Sequence, residues 1–149
     1  MEKKLRAGII GATGMVGQRF ITLLWDHPYF EICRLAASGR SAGKTYAEAV
    51  GSRWKMSSPM PEGVGSMTVF DAADVAAVAE GLDLVFCAVD MPKDEIRRLE
   101  EAYARAEVPV VSNNSANRWT EDVPMIVPEV NDAHLAVIEH QRKRLGTKR

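Results

Sequence analysis

Apolar positions along the chain fall into short blocks separated by longer amphipathic stretches. Residues 5–10 (Leu-Arg-Ala-Gly-Ile-Ile) form the kind of brief run a buried strand uses. Residues 32–37, 84–89 and 108–112 repeat it, and residues 67–70 are a weaker instance. Between these blocks the apolar period lengthens. Residues 15–25 place Val16, Phe20, Leu23 and Leu24 at helical spacing, until Asp26-His27-Pro28 breaks the pattern. Residues 71–80 predict a second helix stopped by Gly81. Residues 92–106 predict a third, with Pro92 in its first turn and Ile96, Leu99 and Tyr103 on one face. Strand alternating with helix implies a parallel sheet with right-handed crossovers, so the expected fold is α/β, a Rossmann-type doubly wound parallel sheet.

Two segments stand outside this rhythm. Residues 39–66 hold five glycines and two prolines with little periodicity, which is too long for a plain connector. They read as a functional loop or an interface segment, one expected to order when a cofactor binds. At the far end Asn131 is expected to cap a last helix running through Gln141. Five of the last nine residues are Lys or Arg, which reads as a solvated linker towards a second domain.

Composition then narrows the function classes. A chain of 149 residues with 46% hydrophobic residues suits one buried core, and 19 basic against 20 acidic residues leave a net charge of −1. Nothing in that balance attracts nucleic acid or anionic lipid, so a small-molecule partner is expected. Cys33 and Cys87 each sit alone in an apolar run, which argues against a disulfide framework and a CxxC metal site. His134 and His140 are six apart, off a shared helical face, and His27 completes no set with them, so no metal is expected. Trp54 and Trp119 fall in loop-like regions, either at an interface or folded against the sheet. The opening Met1-Glu2-Lys3-Lys4 leads into an apolar run that Arg6 interrupts, which makes neither a signal peptide nor a membrane span. A cytoplasmic location is expected.

The sharpest chemistry lies at Gly11-Ala12-Thr13-Gly14-Met15-Val16-Gly17, where the first strand gives way to the first helix. In such a turn the first glycine permits a tight bend, the second admits a pyrophosphate, and the third lets helix and strand pack closely. The helix start at Thr13, Gly14 and Met15 then offers free N–H groups and a positive dipole to the phosphates. The end of the second strand discriminates between dinucleotides, because NAD sites place a carboxylate there. This chain has Ala37-Ser38-Gly39-Arg40-Ser41-Ala42-Gly43-Lys44 instead. A guanidinium fork at Arg40 and hydroxyls at Ser38 and Ser41 suit a 2′-phosphate, so NADP is the expected cofactor.

With these motifs, and with Ser112-Asn113-Asn114-Ser115-Ala116-Asn117-Arg118 and Val127-Pro128-Glu129-Val130-Asn131, the whole chain resembles the semialdehyde dehydrogenase family. Within it, the ordered set is similar to aspartate-semialdehyde dehydrogenases of the fungal and archaeal type. The resemblance implies reduction of L-aspartyl 4-phosphate to the semialdehyde with NADPH, through a thioester on a catalytic cysteine. It implies that Asn113 lies near the nicotinamide and that Arg118 holds the substrate phosphate, and that the full-length enzyme is a homo-oligomer. Residues 1–149 would then be the NADP-binding domain, without the substrate and dimerisation domain.

A thioester mechanism needs an accessible thiolate, and both cysteines read as inert core residues. The family's nucleophile belongs to a Pro-Asn-Cys motif beyond the position matching Arg149. No catalytic residue is therefore assigned, and this chain alone is expected to be inactive. A short-chain reductase would need Tyr-x-x-x-Lys, but Tyr29, Tyr46 and Tyr103 are followed four places on by Cys33, Val50 and Glu107. The alternatives left open are a domain of a malonyl-CoA-reductase-like acyl reductase and a stand-alone, non-catalytic nucleotide-binding module.

Overall fold

Neighbouring apolar residues in the strands divide between the two faces of one sheet. Ile9, Leu35 and Phe86 point into one hydrophobic cluster, while Ile10, Ala36, Val85 and Cys87 point into the other. This period of two explains why the strand blocks read as nearly continuous apolar runs, since each face is covered. In the computed structural model, which describes residues 3–149, five parallel strands carry the pattern. They are β1 (Leu5–Ile10), β2 (Phe30–Ala37), β3 (Val69–Asp71), β4 (Leu84–Cys87) and β5 (Val110–Ser112), in the order β3-β2-β1-β4-β5. The doubly wound expectation is met. Met1 and Glu2, which head the segment read as carrying no signal, lie outside the described residues.

Helix α1 (Met15–Leu24) and the short α2 (Tyr46–Val50) cover one face, where Ile21, Leu24, Tyr46 and Val50 are buried. Helices α3 (Val75–Ala79) and α4 (Lys93–Arg105) cover the other through Val78, Ile96 and Tyr103. The buried stripe of α1 differs from the sequence reading. It runs through Gly17, Ile21 and Leu24, and leaves Val16 and Leu23 exposed. Gly17 dictates this rotation, because its bare Cα is the surface that meets the turn after β1.

The second helix is shorter than residues 71–80. Asp71 ends β3, and Asp74 caps α3 by accepting from the Ala77 N–H at 3.3 Å. Pro92 is the N-cap of α4 rather than part of its first turn. Residues 39–66 carry structure of their own. Thr45 and Glu48 form a reciprocal capping box that starts α2, and a 3₁₀ turn (Gly51–Arg53) follows it.

The last helix is broken into α5 (Pro128–Asn131), a 3₁₀ stretch (Asp132–Val137) and α6 (Ile138–Leu145). Asn131 does not cap through to Gln141: its Oδ1 accepts from the Val127 N–H at 2.7 Å. The basic tail is docked, not a free linker. Leu145 is buried, Arg144 pairs with Asp122, and Glu107 accepts from the Lys148 and Arg149 N–H groups at 3.0 and 2.9 Å.

Candidate functional site

The three glycines of the turn after β1 do different work. Gly11 has φ +84°, and a Cβ there would stand 2.8 Å from the Val89 nitrogen and overlap the Ala88 carbonyl. A Cβ on Gly17 would come within 2.8 Å of the Ala12 Cα and overlap the Gly11 carbonyl. Those two positions serve the fold. Gly14 is different, since a Cβ there would meet nothing closer than the Gly11 oxygen at 3.7 Å. Its lack of a side chain is not needed for protein packing and leaves the mouth of α1 open.

Gly14 is also the N-cap of α1, so no side chain caps the helix, and its first turn holds no acidic residue. The first intrahelical bond is Gln18 N–H to Gly14 O at 2.9 Å. The N–H groups of Met15, Val16 and Gly17 therefore have no intrahelical acceptor, at the positive end of the helix dipole. An anion fits there.

The turn sits where the sheet reverses its order, between β1 and β4, the usual ligand position in doubly wound sheets. A cleft of about 1040 Å³ opens at this point, large enough for a dinucleotide. Gly11, Thr13 and Gly14 line it together with Ser38, Arg40, Ser41 and Lys44. The Ser41 N–H donates to Ser38 O at 2.9 Å, which curls these residues into a turn, and Ser41 is buried while Ser38 and Arg40 are exposed. Two further cations line the cleft, Arg53 and Arg98, against three carboxylates, Asp71, Asp90 and Glu95. Asp71 ends β3, and its Oδ1 accepts from the Ala73 N–H at 2.9 Å.

Some expected site residues lie outside this lining. Met15 and Val16 are exposed at the start of α1, and Gly17 is buried beneath the turn. Asn113 and Arg118 do not line the cleft but do come together: Arg118 Nη2 reaches Asn113 O at 3.5 Å. Asn113 follows β5, and its N–H donates to Cys87 O at the end of β4 at 2.9 Å.

The loop that holds this pair is built on a buried carboxylate. Glu100 of α4 accepts from the Ser112 hydroxyl and from Asn117 Nδ2, the latter at 2.7 Å, and Thr120 donates to Asn117 Oδ1 at 3.0 Å. Arg97 Nε donates to Ala116 O at 2.8 Å. Asn114 Nδ2 approaches Cys87 Sγ at 3.5 Å. Burial, then the neighbouring Glu100 charge, push the Cys87 thiol up to about 12. At neutral pH it is a protonated core thiol. Cys33 is half-buried on β2.

Sequence reading missed several residues that shape the site. Gln18 is only 1% exposed, and its Nε2 donates to both Thr13 O and Arg53 O at 3.0 Å. Tyr46 lies wholly beneath the turn. Neither Arg53 nor Glu100 belongs to a motif; Glu100 is buried, and Arg53 is exposed at the cleft. The capping box Thr45-x-x-Glu48 was the available signal for the start of α2.

Trp54 packs against the core, with its Nε1 donating to Ser58 O at 2.8 Å, whereas Trp119 is 92% exposed. Val111, Val127 and Val130 are exposed on the same C-terminal portion of the chain. No cluster of three metal-ligating side chains occurs among the described residues, and none of their helices is long and apolar enough to cross a membrane.

A doubly wound sheet with a glycine turn, an uncapped helix start and a cleft at its switch point defines a dinucleotide-binding domain. The family described as semialdehyde dehydrogenase, NAD binding domain, matches residues 6–138, and the chain belongs to that family. It is 46% identical over 142 residues to the aspartate-semialdehyde dehydrogenase of Methanothermobacter thermautotrophicus, spanning 95% of this chain and 39% of that protein. It is 43% identical over 146 residues to that of Aspergillus fumigatus, spanning 98% and 39%. Among solved structures, aspartate semialdehyde dehydrogenase with NADP from Candida albicans superposes with a TM-score of 0.84 at 40% identity, covering 98% of this chain and 40% of that one. The chain thus spans about two fifths of the length of these relatives.

Proposed function

We propose that residues 1–149 form the NADP-binding domain of an aspartate-semialdehyde dehydrogenase. That enzyme interconverts L-aspartyl 4-phosphate and L-aspartate 4-semialdehyde with NADPH, in the synthesis of lysine, methionine and threonine. The observation that carries the cofactor reading is the uncapped start of α1 facing a cleft whose β2 end bears Ser38, Arg40 and Ser41 and no carboxylate. Identity of 41–46% to curated aspartate-semialdehyde dehydrogenases supports the reaction.

The residues divide the work by chemistry. The backbone N–H groups of Thr13 and of Met15 to Gly17 take the pyrophosphate, with Gly11 and Gly17 setting the bend and Gly14 leaving room. Arg40, Ser38 and Ser41 take the 2′-phosphate by a charged fork and two hydroxyl donors. When bound, the cofactor's nicotinamide would supply the hydride. Asn113 orients its carboxamide, and Arg118, beside Asn113, holds the substrate's phosphate.

Neither thiol suits acyl transfer, because Cys87 is buried and held protonated and Cys33 lies half-buried on a strand. The chain is therefore proposed to bind NADP without turning substrate over. The full-length enzyme is proposed to be a cytoplasmic homo-oligomer acting on a small acyl phosphate, without nucleic-acid or membrane partners. Calorimetry with NADP and NAD tests the cofactor reading: tighter binding of NADP is expected, and equal affinity for the two, or none, refutes it. NADPH formation from semialdehyde and phosphate by this chain alone would refute the absence of turnover.

A further inference from the structure

The cleft contains a cation that the glycine turn and the β2 loop do not account for. Arg53 closes the 3₁₀ turn after α2 and lines the same cavity as Gly11, Thr13 and Gly14. We propose that Arg53 binds the pyrophosphate of the dinucleotide, completing from the α2 side the anion site that α1 opens. This rests on the NADP-binding reading above and extends it to a residue outside both motifs.

Three observations carry the assignment. First, Arg53 is tied to the glycine turn. One nitrogen, Gln18 Nε2, donates to Thr13 O and Arg53 O at 3.0 Å each, and Gln18 Oε1 accepts from the Lys55 N–H at 2.8 Å. Gln18 is buried and all three of these bonds are to backbone, so it fixes the spacing of the two segments.

Second, the guanidinium is oriented. Its Nη2 donates to Ala49 O at 2.6 Å and its Nε to Val50 O at 3.3 Å, both at the carbonyl end of α2. Nη1 has no protein acceptor among the described residues, and Arg53 forms no ion pair with a described carboxylate. A pre-oriented guanidinium with an unused donor matches a phosphate oxygen and loses little freedom on binding.

Third, the carboxylates are sorted by side, with Arg98 of α4 lying among them. The cleft's carboxylates come from the end of β3 (Asp71) and from the β4–α4 side (Asp90 and Glu95), and none comes from α2 or its 3₁₀ turn. The helix start and Arg53 thus present positive potential from two segments that Gln18 binds together. The tether runs to Thr13 rather than to residues 38–44, which is why the pyrophosphate, shared by NAD and NADP, is the assigned partner and the 2′-phosphate is not.

Binding of NADP and NAD to the unaltered chain, Arg53→Ala, Arg53→Lys and Arg40→Ala, measured by calorimetry over a range of salt concentrations, tests this. Arg53→Ala is expected to weaken both dinucleotides by the same factor, about tenfold, as for loss of one charged hydrogen bond. Its affinity should also depend less on salt. Arg53→Lys, which keeps the charge but not the fork to Ala49 and Val50, should recover part of the affinity, and Arg40→Ala should weaken NADP alone. Unchanged binding by Arg53→Ala overturns the proposal, as does a loss confined to NADP. A loss with an unaltered salt dependence and no recovery in Arg53→Lys would mean that Arg53 only props the loop, which also overturns it. If the unaltered chain binds neither dinucleotide, the NADP-binding reading fails first and the proposal falls with it.

Discussion

The hydroxyl of Tyr46 donates to the carbonyl oxygen of Ala12 at 2.7 Å, inside a core where Tyr46 is fully buried. The bond ties α2, in the glycine- and proline-rich stretch, to the turn that ends β1. Tyr46→Phe keeps the ring and leaves the Ala12 carbonyl without that donor, so a loss of about 1–2 kcal/mol is expected in urea unfolding. NADP binding should weaken too, because the turn loses a support. A variant as stable as the parent would show that the bond is not made in solution.

Gly14 and Gly17 stand three residues apart and should respond oppositely to alanine. At Gly17 the added methyl collides with the backbone of the turn, at the Gly11 carbonyl and Ala12 Cα, so a loss of at least about 2 kcal/mol or failure to fold is expected. At Gly14 the backbone has φ −75° and the nearest atom would be 3.7 Å away, so stability should stay within about 1 kcal/mol of the parent. The methyl would instead occupy the space needed by the pyrophosphate, and NADP affinity should drop at least about tenfold. Thermal unfolding and calorimetry on the two variants check both halves. Tight NADP binding by Gly14→Ala would mean that the phosphates lie elsewhere.

The strands and the glycine turn were legible because local pattern and tertiary role agree. β1 is bounded as its apolar run is, and Gly11 and Gly17 are glycines for steric reasons confined to a strand–turn–helix unit. What escaped was long-range. Gln18 and Arg53 lie thirty-five residues apart, and neither has a local reason to be noticed. Glu100 reads as one of several charges on α4, and only the fold brings Ser112 and Asn117 onto it. Helical spacing alone did not orient α1: Val16 and Leu23 fit the period yet are exposed, because the helix meets the turn through Gly17, which has no side chain.

The buried carboxylate of Glu100 should control the order of the loop bearing Asn113 and Arg118. Glu100→Ala removes the acceptor of the Ser112 hydroxyl and of Asn117 Nδ2, leaving two inward-facing donors unsatisfied. A loss of about 1–3 kcal/mol is expected. Hydrogen exchange should speed up at residues 113–118 and stay slow in β1, whose ladder Glu100 does not touch. Exchange rising equally across the sheet would point to general destabilisation and against a local role.

Alkaline unfolding should begin with Cys87. Burial pushes its thiol from an ordinary value of 9.0 up to about 12, and burial likewise raises the Tyr46 and Tyr103 phenols above their ordinary 10.0. With folded values above unfolded ones, the unfolded chain loses its protons first, so these groups' contribution is complete below about pH 9 and shrinks as pH rises. Cys87 acts alone between about pH 9 and 10, where stability should fall by up to about 1.4 kcal/mol per pH unit. The tyrosines add to the slope above that. Cys87→Ala lowers stability at pH 7 by leaving a small cavity, yet its stability should stay flat from pH 9 to 10, so that the gap to the parent narrows, and turn down only where the phenols ionise. Urea midpoints for parent and variant at pH 7, 9, 10 and 11 make the comparison, and parallel curves would show that the Cys87 thiol is not the first group to respond.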